Sequence, residues 1–449
     1  MTVTLLKNAK YINEGCTSRR DILIKNGIIE KIDNVISADT ADEIIDCDNM
    51  LVLPGVIDDQ VHFREPGGTH KATIASESIA AVLGGTTSFM DMPNNNPPAI
   101  TLEDITAKKA IASHNSYANY SFYLGATGSN TEVIKTLNPK EICGVKVFMG
   151  SSTGSLLVDR DEALYDIFKN SRILIATHCE DNDIINKNMK EFIDRYGEEN
   201  LTPDMHPLIR SHKACYKSTK KAIEIASSTG ANLHVLHLST ADEVELFKPF
   251  ACTRLEDRKI TAEVCAHHMF FNNSQYTRLG NRLKCNPAVK TEDDRKALIR
   301  AVETGIISLI ATDHAPHTVE EKSQPYFKAP SGIPLIQFSL LAVLELVHRG
   351  ELSIEAAVYA MSHNPAVRFN IADRGFIREG CFADIVIVKP DADYTVKPCD
   401  IASKCEWSPF VGHTFSHKVM HTFVNGNHIV NNGVFVPNGI YGRDLRFNR

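Results

Sequence analysis

Short apolar runs and longer amphipathic stretches alternate through the middle of the chain. The runs GVIDDQVH (55–62), TTSFMDM (86–92), NYSFYLG (119–125) and GVKVFMG (144–150) come first. ILIATH (173–178), NLHVLHL (232–238), KITAEVC (259–265) and ISLIATD (307–313) follow. Each is short and rich in β-branched or aromatic residues, as a buried strand is. Between them, ESIAAVLGG, TLEDITAKKAIASH and YKSTKKAIEIASSTG place apolar residues at helical spacing and often end in Gly. Strands alternating with helices predict parallel βα units, and eight such units predict a closed α/β barrel of the TIM (β/α)8 class. An open doubly wound sheet is the rival. No G-x-G-x-x-G or P-loop follows any run, which removes that fold's usual ligand sites.

The two ends have a different pattern. Residues 1–54 hold TVTLLKNAKYI, DILIKNGIIEKI and EIIDCDNMLVL, and residues 375–449 hold ADIVIVKP and HTFVNGNHIVNNGVFV. Asn26-Gly27, Asn425-Gly426 and Asn432-Gly433 are hairpin signals. The economical reading is one small β-sandwich built from 1–54 and 375–449, with a barrel inserted over 55–374. Two separate β domains are the alternative, but each would have little core.

Composition narrows the classes of function. The 449 residues carry 48 Lys+Arg against 55 Asp+Glu, a formal net charge of −7, without basic runs. Nucleic acid is therefore not expected as the main partner. No apolar stretch is long enough to span a membrane. The start, MTVTLLKNAKYINEG, lacks the features of a signal peptide. Eleven scattered cysteines without a C-x-x-C pair read as reduced thiols in a cytoplasmic enzyme.

Side chains able to bind a metal sit at the strand ends. His62 closes the first run, Lys146 lies in the fourth, and His178, His237 and Asp313 lie at the ends of the fifth, sixth and eighth. A parallel barrel gathers those ends on one face. A single such histidine is ordinarily structural; convergence from independent strands argues otherwise. Three imidazoles and a carboxylate suit Zn²⁺. Lys146 is out of place there unless it is paired, neutralised or modified; reaction with CO₂ would make it a carbamate able to bridge two ions. Asp313 is then the candidate general acid/base. His234 is expected to face away from the barrel interior, and His267 and His268 to stay outside the first ligand shell. Arg64 in HFREPGG, Asn94 in MPNNNPPA, Asn286 in KCNPAVK and His317 in DHAPH suggest a site for an anionic, amide-like substrate. Taken singly, each is an ordinary turn or surface residue.

Together the motifs VLPGVID, HFREPGG, MPNNNPP, VKVFMG, ATHCED, HVLHLST, AEVCAHH, CNPAVK, IATDHAPH and NPAVRFN resemble the amidohydrolase superfamily, and within it the dihydroorotases. The resemblance covers nearly the whole chain. It implies a TIM barrel flanked by a β-sandwich, one or two Zn²⁺ ions, and reversible ring closure of N-carbamoyl-L-aspartate to L-dihydroorotate in pyrimidine biosynthesis. By position it makes His62, His178, His237 and Asp313 metal ligands, Lys146 the carboxylated lysine and Asp313 the acid/base. It also makes Arg64, Asn94, Asn286 and His317 substrate-binding. Hydantoinases and dihydropyrimidinases look similar but usually lack the arginine, and allantoinase is the nearer competitor.

One position departs from the family. Asp58-Asp59-Gln60-Val61-His62 stands where the family has Asp-x-His-x-His, so Gln60 replaces a histidine. A carboxamide is a poor zinc ligand, and one of the two metal sites is expected to be weak. Gln60 also keeps open a catalytically silent subunit of aspartate transcarbamoylase. A symmetric homodimer is the default assembly. The polar segment TVEEKSQPYFKAPSGIP after His317 is the expected lid.

Overall fold

The computed structural model describes residues 2–150 and 156–449. All eight central runs form strands of a parallel barrel. They are β1 (Val56–Val61), β2 (Thr86–Asp91), β3 (Asn119–Phe122, resuming at Leu124–Gly125) and β4 (Val145–Phe148). β5 (Ile175–His178), β6 (Leu233–Val235), β7 (Ile260–Cys265) and β8 (Leu309–Ala311) complete it. β1, β2 and β3 pair in order, as do the second half of β3 and β4 through β8. The ring closes where His62 N donates to the His314 carbonyl at 2.8 Å, beside a parallel bridge from Val61 to His314. Asp58 reinforces that seam by accepting from Thr312 Oγ1 at 2.6 Å.

The strands are buried on both faces because helices cover the outside. Several helices start at residues suited to it. Thr101 and Thr291 each accept the backbone N–H three residues on, and Asp104 and Asp294 bond back, which satisfies otherwise orphaned donors.

Strands from both termini share a single nine-stranded sheet. Its seam is an antiparallel pairing of Leu51–Pro54 with Ile385–Lys389, so the two ends do not make separate domains. Alternation assigns the faces. Ile385 and Ile387 join Leu6, Ile22, Ile24 and Phe423 in a core of the terminal sheet, while Val386 and Val388 belong to the core shared with the barrel. The hairpin turns form as the sequence signals: Asn26-Gly27, Asn425-Gly426 and Asn432-Gly433 all have positive φ at both residues.

The last residues leave this sheet. Asp444 bridges to Tyr120 of β3, and Leu445 and Phe447 pack with Ile57, Tyr123 and Phe369 in a further apolar cluster. Residues 442–449 therefore pack on the barrel, although they fall within the stretch that the sequence reading gives to the terminal domain.

Candidate metal centre and active site

Topology gathers His62, Lys146, His178, His237 and Asp313 around one cavity of about 110 Å³. Gln60, Arg64, Asn94 and Asn286 line it too, together with Phe148, Ala315, Ser331 and Gly332. Arg64, His237 and Asp313 adopt left-handed backbone conformations, with φ of 66°, 40° and 49°. Non-glycine residues held there cost about 1–3 kcal/mol each, so the surrounding structure must enforce them.

The imidazoles face one another and are kept neutral. His178 Nδ1 lies 2.9 Å from His237 Nε2, and His178 Nε2 meets Glu180 Oε2 at 2.9 Å. Burial does work against the charge on Glu180, but Arg210 and His178 hold its carboxyl well below the usual carboxylate range. Glu180 thus stays an acceptor, His178 carries its proton on Nε2, and the Nδ1 lone pair points at His237. Burial lowers the pKa of His178 and, further, of His237, where His178 and Lys146 add to the effect. Among the described residues His237 Nδ1 has no hydrogen-bond partner. Across the cavity, His62 Nε2 lies 3.0 Å from Asp313 Oδ1, and its Nδ1 lies 2.7 Å from Asn94 Oδ1.

Lys146 is buried in the barrel, with Nζ 4.6 Å from the Phe148 ring centroid. Among the described residues no carboxylate forms an ion pair with it. Burial pulls its pKa down to about 8. Neutral imidazoles facing each other, an amine that sheds its proton easily and a carboxylate are the donor set of a zinc-type ion, and these residues fit one. The partner of His178 in Glu180 is the outer support such a ligand needs.

Gln60 points into the cavity. Its Nε2 donates to Asp313 Oδ1 at 3.2 Å, while its Oε1 is buried and has no partner among the described residues.

Three expectations need correction. His317 does not line the cavity; it packs behind Arg64, with Nε2 3.2 Å from Arg64 Nη2 and 3.0 Å from the Ser331 carbonyl. Burial, then Arg64 and Lys71, keeps it neutral. His234 points into the barrel, where Nε2 lies 3.0 Å from Glu263 Oε2 and 3.4 Å from Asp59 Oδ2, across the ring on β1. β6 ends at Val235, and the left-handed turn at His237 breaks the alternation on which the opposite expectation rested.

The segment after His317 is not a free lid. Lys322 Nζ donates to the carbonyls of Lys284, Pro330 and Gly332, and Lys284 Nζ to those of Tyr326 and Ala329. Trp407 Nε1, from the C-terminal part of the chain, donates to the His317 carbonyl at 2.7 Å.

Some supporting residues escape a sequence reading. Glu180 is one; its place two residues after His178 is the signal that could have found it. His206, whose Nε2 lies 2.8 Å from the Cys285 carbonyl and 3.2 Å from Asn286 Oδ1, leaves no such signal.

The amidohydrolase family model matches residues 51–429. A dihydroorotase of Pediococcus pentosaceus is 33% identical over 434 residues, covering 94% of this chain and 97% of its own. An allantoinase of Bacillus velezensis is 29% identical, covering 98% and 97%. Among solved structures, L-hydantoinase (dihydropyrimidinase) from Arthrobacter aurescens superposes with a TM-score of 0.90 at 26% identity, over 99% of this chain and 100% of that one.

Proposed function

The chain belongs to the amidohydrolase family and is a hydrolase acting on cyclic amides; on that premise we propose that it interconverts N-carbamoyl-L-aspartate and L-dihydroorotate, the dihydroorotase step of pyrimidine biosynthesis. The observation that carries this reading is Arg64. Its guanidinium lines the same cavity as the metal-type ligands, with Nε donating to the Pro316 carbonyl at 3.1 Å and so fixed in direction. A permanently charged fork suits a carboxylate, and a cyclic amide without one has no use for it. Asn94 and Asn286 stand beside it to orient the rest of the substrate.

His62, His178, His237, Asp313 and Lys146 would hold Zn²⁺, as one or two ions. Bound there, the metal supplies a Lewis acid for the ring carbonyl and an acidified water. In the ring-opening direction Asp313 takes a proton from the attacking water and delivers it to the ring nitrogen as the C–N bond breaks. His62 and Gln60 hold Asp313 Oδ1 for that transfer. Lys146 Nζ, partly neutral near pH 8, attacks CO₂; an N–C bond forms and the amine proton leaves to water. The chain's eleven unpaired cysteines suit a reducing cytoplasm.

The allantoinase and hydantoinase likenesses support a second reading, a cyclic ureide hydrolase without need of a carboxylate. Turnover of dihydroorotate, carbamoyl aspartate, allantoin and hydantoin, with zinc and bicarbonate supplied, separates the two. Arg64→Ala should raise KM for carbamoyl aspartate by about 10–100-fold, the worth of a charge-assisted contact. An unchanged KM would move the assignment to the ureides. No turnover by the wild type, restored by Gln60→His, would identify a silent relative.

A further inference from the structure

Beyond the catalytic cavity, β7 ends in a second cluster of soft and borderline ligands. Cys265, His267 and His268 are all buried, and their nearest ligand atoms lie within 4.8 Å of one another. None of the three lines the cavity described above. His268 Nε2 meets the Pro287 carbonyl at 3.0 Å; a carbonyl only accepts, so the proton sits on Nε2 and Nδ1 presents a lone pair. That Nδ1 has no partner among the described residues, although the residue is only 3% exposed. The ring of His267 packs on His268 with centroids 4.0 Å apart. Among the described residues neither of its nitrogens makes a well-formed hydrogen bond, the Thr312 carbonyl being a weak polar neighbour.

Buried polar nitrogens are rarely left this way, because each has lost its water without gaining a partner. Burial also keeps both imidazoles neutral, the form in which they bind metals. The Cys265 thiol is pushed up by burial, and then by Asp313, Glu263 and Asp58, a group of carboxylates that favours a cation nearby.

We infer that Cys265, His267 and His268 form a zinc site separate from the catalytic centre, which binds a structural ion behind the substrate-binding loop. One thiolate and two imidazoles supply three ligands of a tetrahedral zinc site. On binding, the thiol releases its proton to solvent, and the thiolate and Zn²⁺ leave a net charge of one beside the carboxylates. The contact from His268 to Pro287, the residue after Asn286, gives the ion a reason to be there. It stiffens the loop that presents Asn286 to the cavity.

Cobalt separates this site from the catalytic one, whose ligands include no thiolate. The whole protein, stripped with a chelator and reloaded with Co²⁺, should show a near-ultraviolet sulfur-to-cobalt charge-transfer band. Cys265→Ser should abolish the band and lower zinc content by one ion per chain; His268→Gln should weaken it. His178→Asn, at the catalytic ligands, should leave it in place. X-ray absorption at the zinc edge of the unmutated protein is a second test that needs no variant, and should find a sulfur neighbour at roughly 2.3 Å. A zinc shell of nitrogen and oxygen alone, or a band that survives Cys265→Ser in a protein folded by circular dichroism, would overturn the site.

Discussion

Asp313 Oδ1 receives two neighbours, His62 Nε2 at 3.0 Å and Gln60 Nε2 at 3.2 Å. Gln60 directs its donor to that carboxylate and leaves Oε1 buried, with no partner among the described residues. A carboxamide oxygen is a weaker zinc ligand than an imidazole nitrogen, so this corner holds metal less firmly than a histidine would. Gln60→His is expected to tighten binding of one ion by at least the ~10–100-fold that even an outer partner of a ligand is worth. Competition with a chromogenic chelator measures it. Equal affinity and stoichiometry in the two proteins would show that Gln60 is no weak point.

Elements carry the second kind of expectation. Helix Glu292–Glu303 begins at Thr291, and Asp294 closes its capping box. The same carboxylate accepts from Ala241 N at 2.9 Å, at the start of helix Ala241–Phe247, and meets His212 Nε2 at 2.8 Å. Burial opposes the charge, but these hydrogen bonds win and lower the Asp294 pKa from 3.8 to about 2. A lowered folded-state pKa adds stability above the unfolded value and loses it as pH falls through the folded one. The loss therefore lies between pH 3.8 and about 2, and is on the order of 1–2 kcal/mol after solvent screening. Urea unfolding followed through that window should show a shallower pH slope for Asp294→Asn, and an identical slope would contradict the assignment. Elements were also where the sequence was most readable. Eight apolar runs became eight strands, and the three Asn-Gly pairs read as hairpin signals became turns, because side-chain period and turn chemistry are local. Strand ends were less readable. The run NLHVLHL yields a strand only over Leu233–Val235, since the left-handed His237 is enforced by neighbours distant in sequence.

At the scale of the molecule, a buried polar network ties the barrel to the terminal sheet. Asp384 pairs with Arg374, accepts from Asn425 N at 2.7 Å and from Asn119 Nδ2 of β3 at 3.2 Å. Asn119 Oδ1 accepts from Asn425 Nδ2 at 2.8 Å and from Arg443 N at 3.0 Å, which brings in the C-terminal tail. Removing one partner would leave Arg374 buried and unpaired, at 4% exposure. Asp384→Ala should destabilise the protein by about 3–5 kcal/mol, the cost of an uncompensated buried charge. Urea unfolding checks this, and a loss below ~1 kcal/mol would mean that water or another group replaces the carboxylate.

The chain's own pattern determined the barrel, the composite terminal sheet and the five strand-end residues around the cavity. Strand periodicity and parallel topology suffice to send those ends to one face. Tertiary structure alone decided the rest. That His317 stands behind Arg64, that His234 points inward, that Lys284 and Lys322 pin the segment after His317, and that Cys265, His267 and His268 meet are facts about distant segments packed together. Local spacing states which side chains share a face. Which of them touch, and which buried atoms are left without a partner, depends on bulges, left-handed turns and loop anchors that form only once the whole chain has closed.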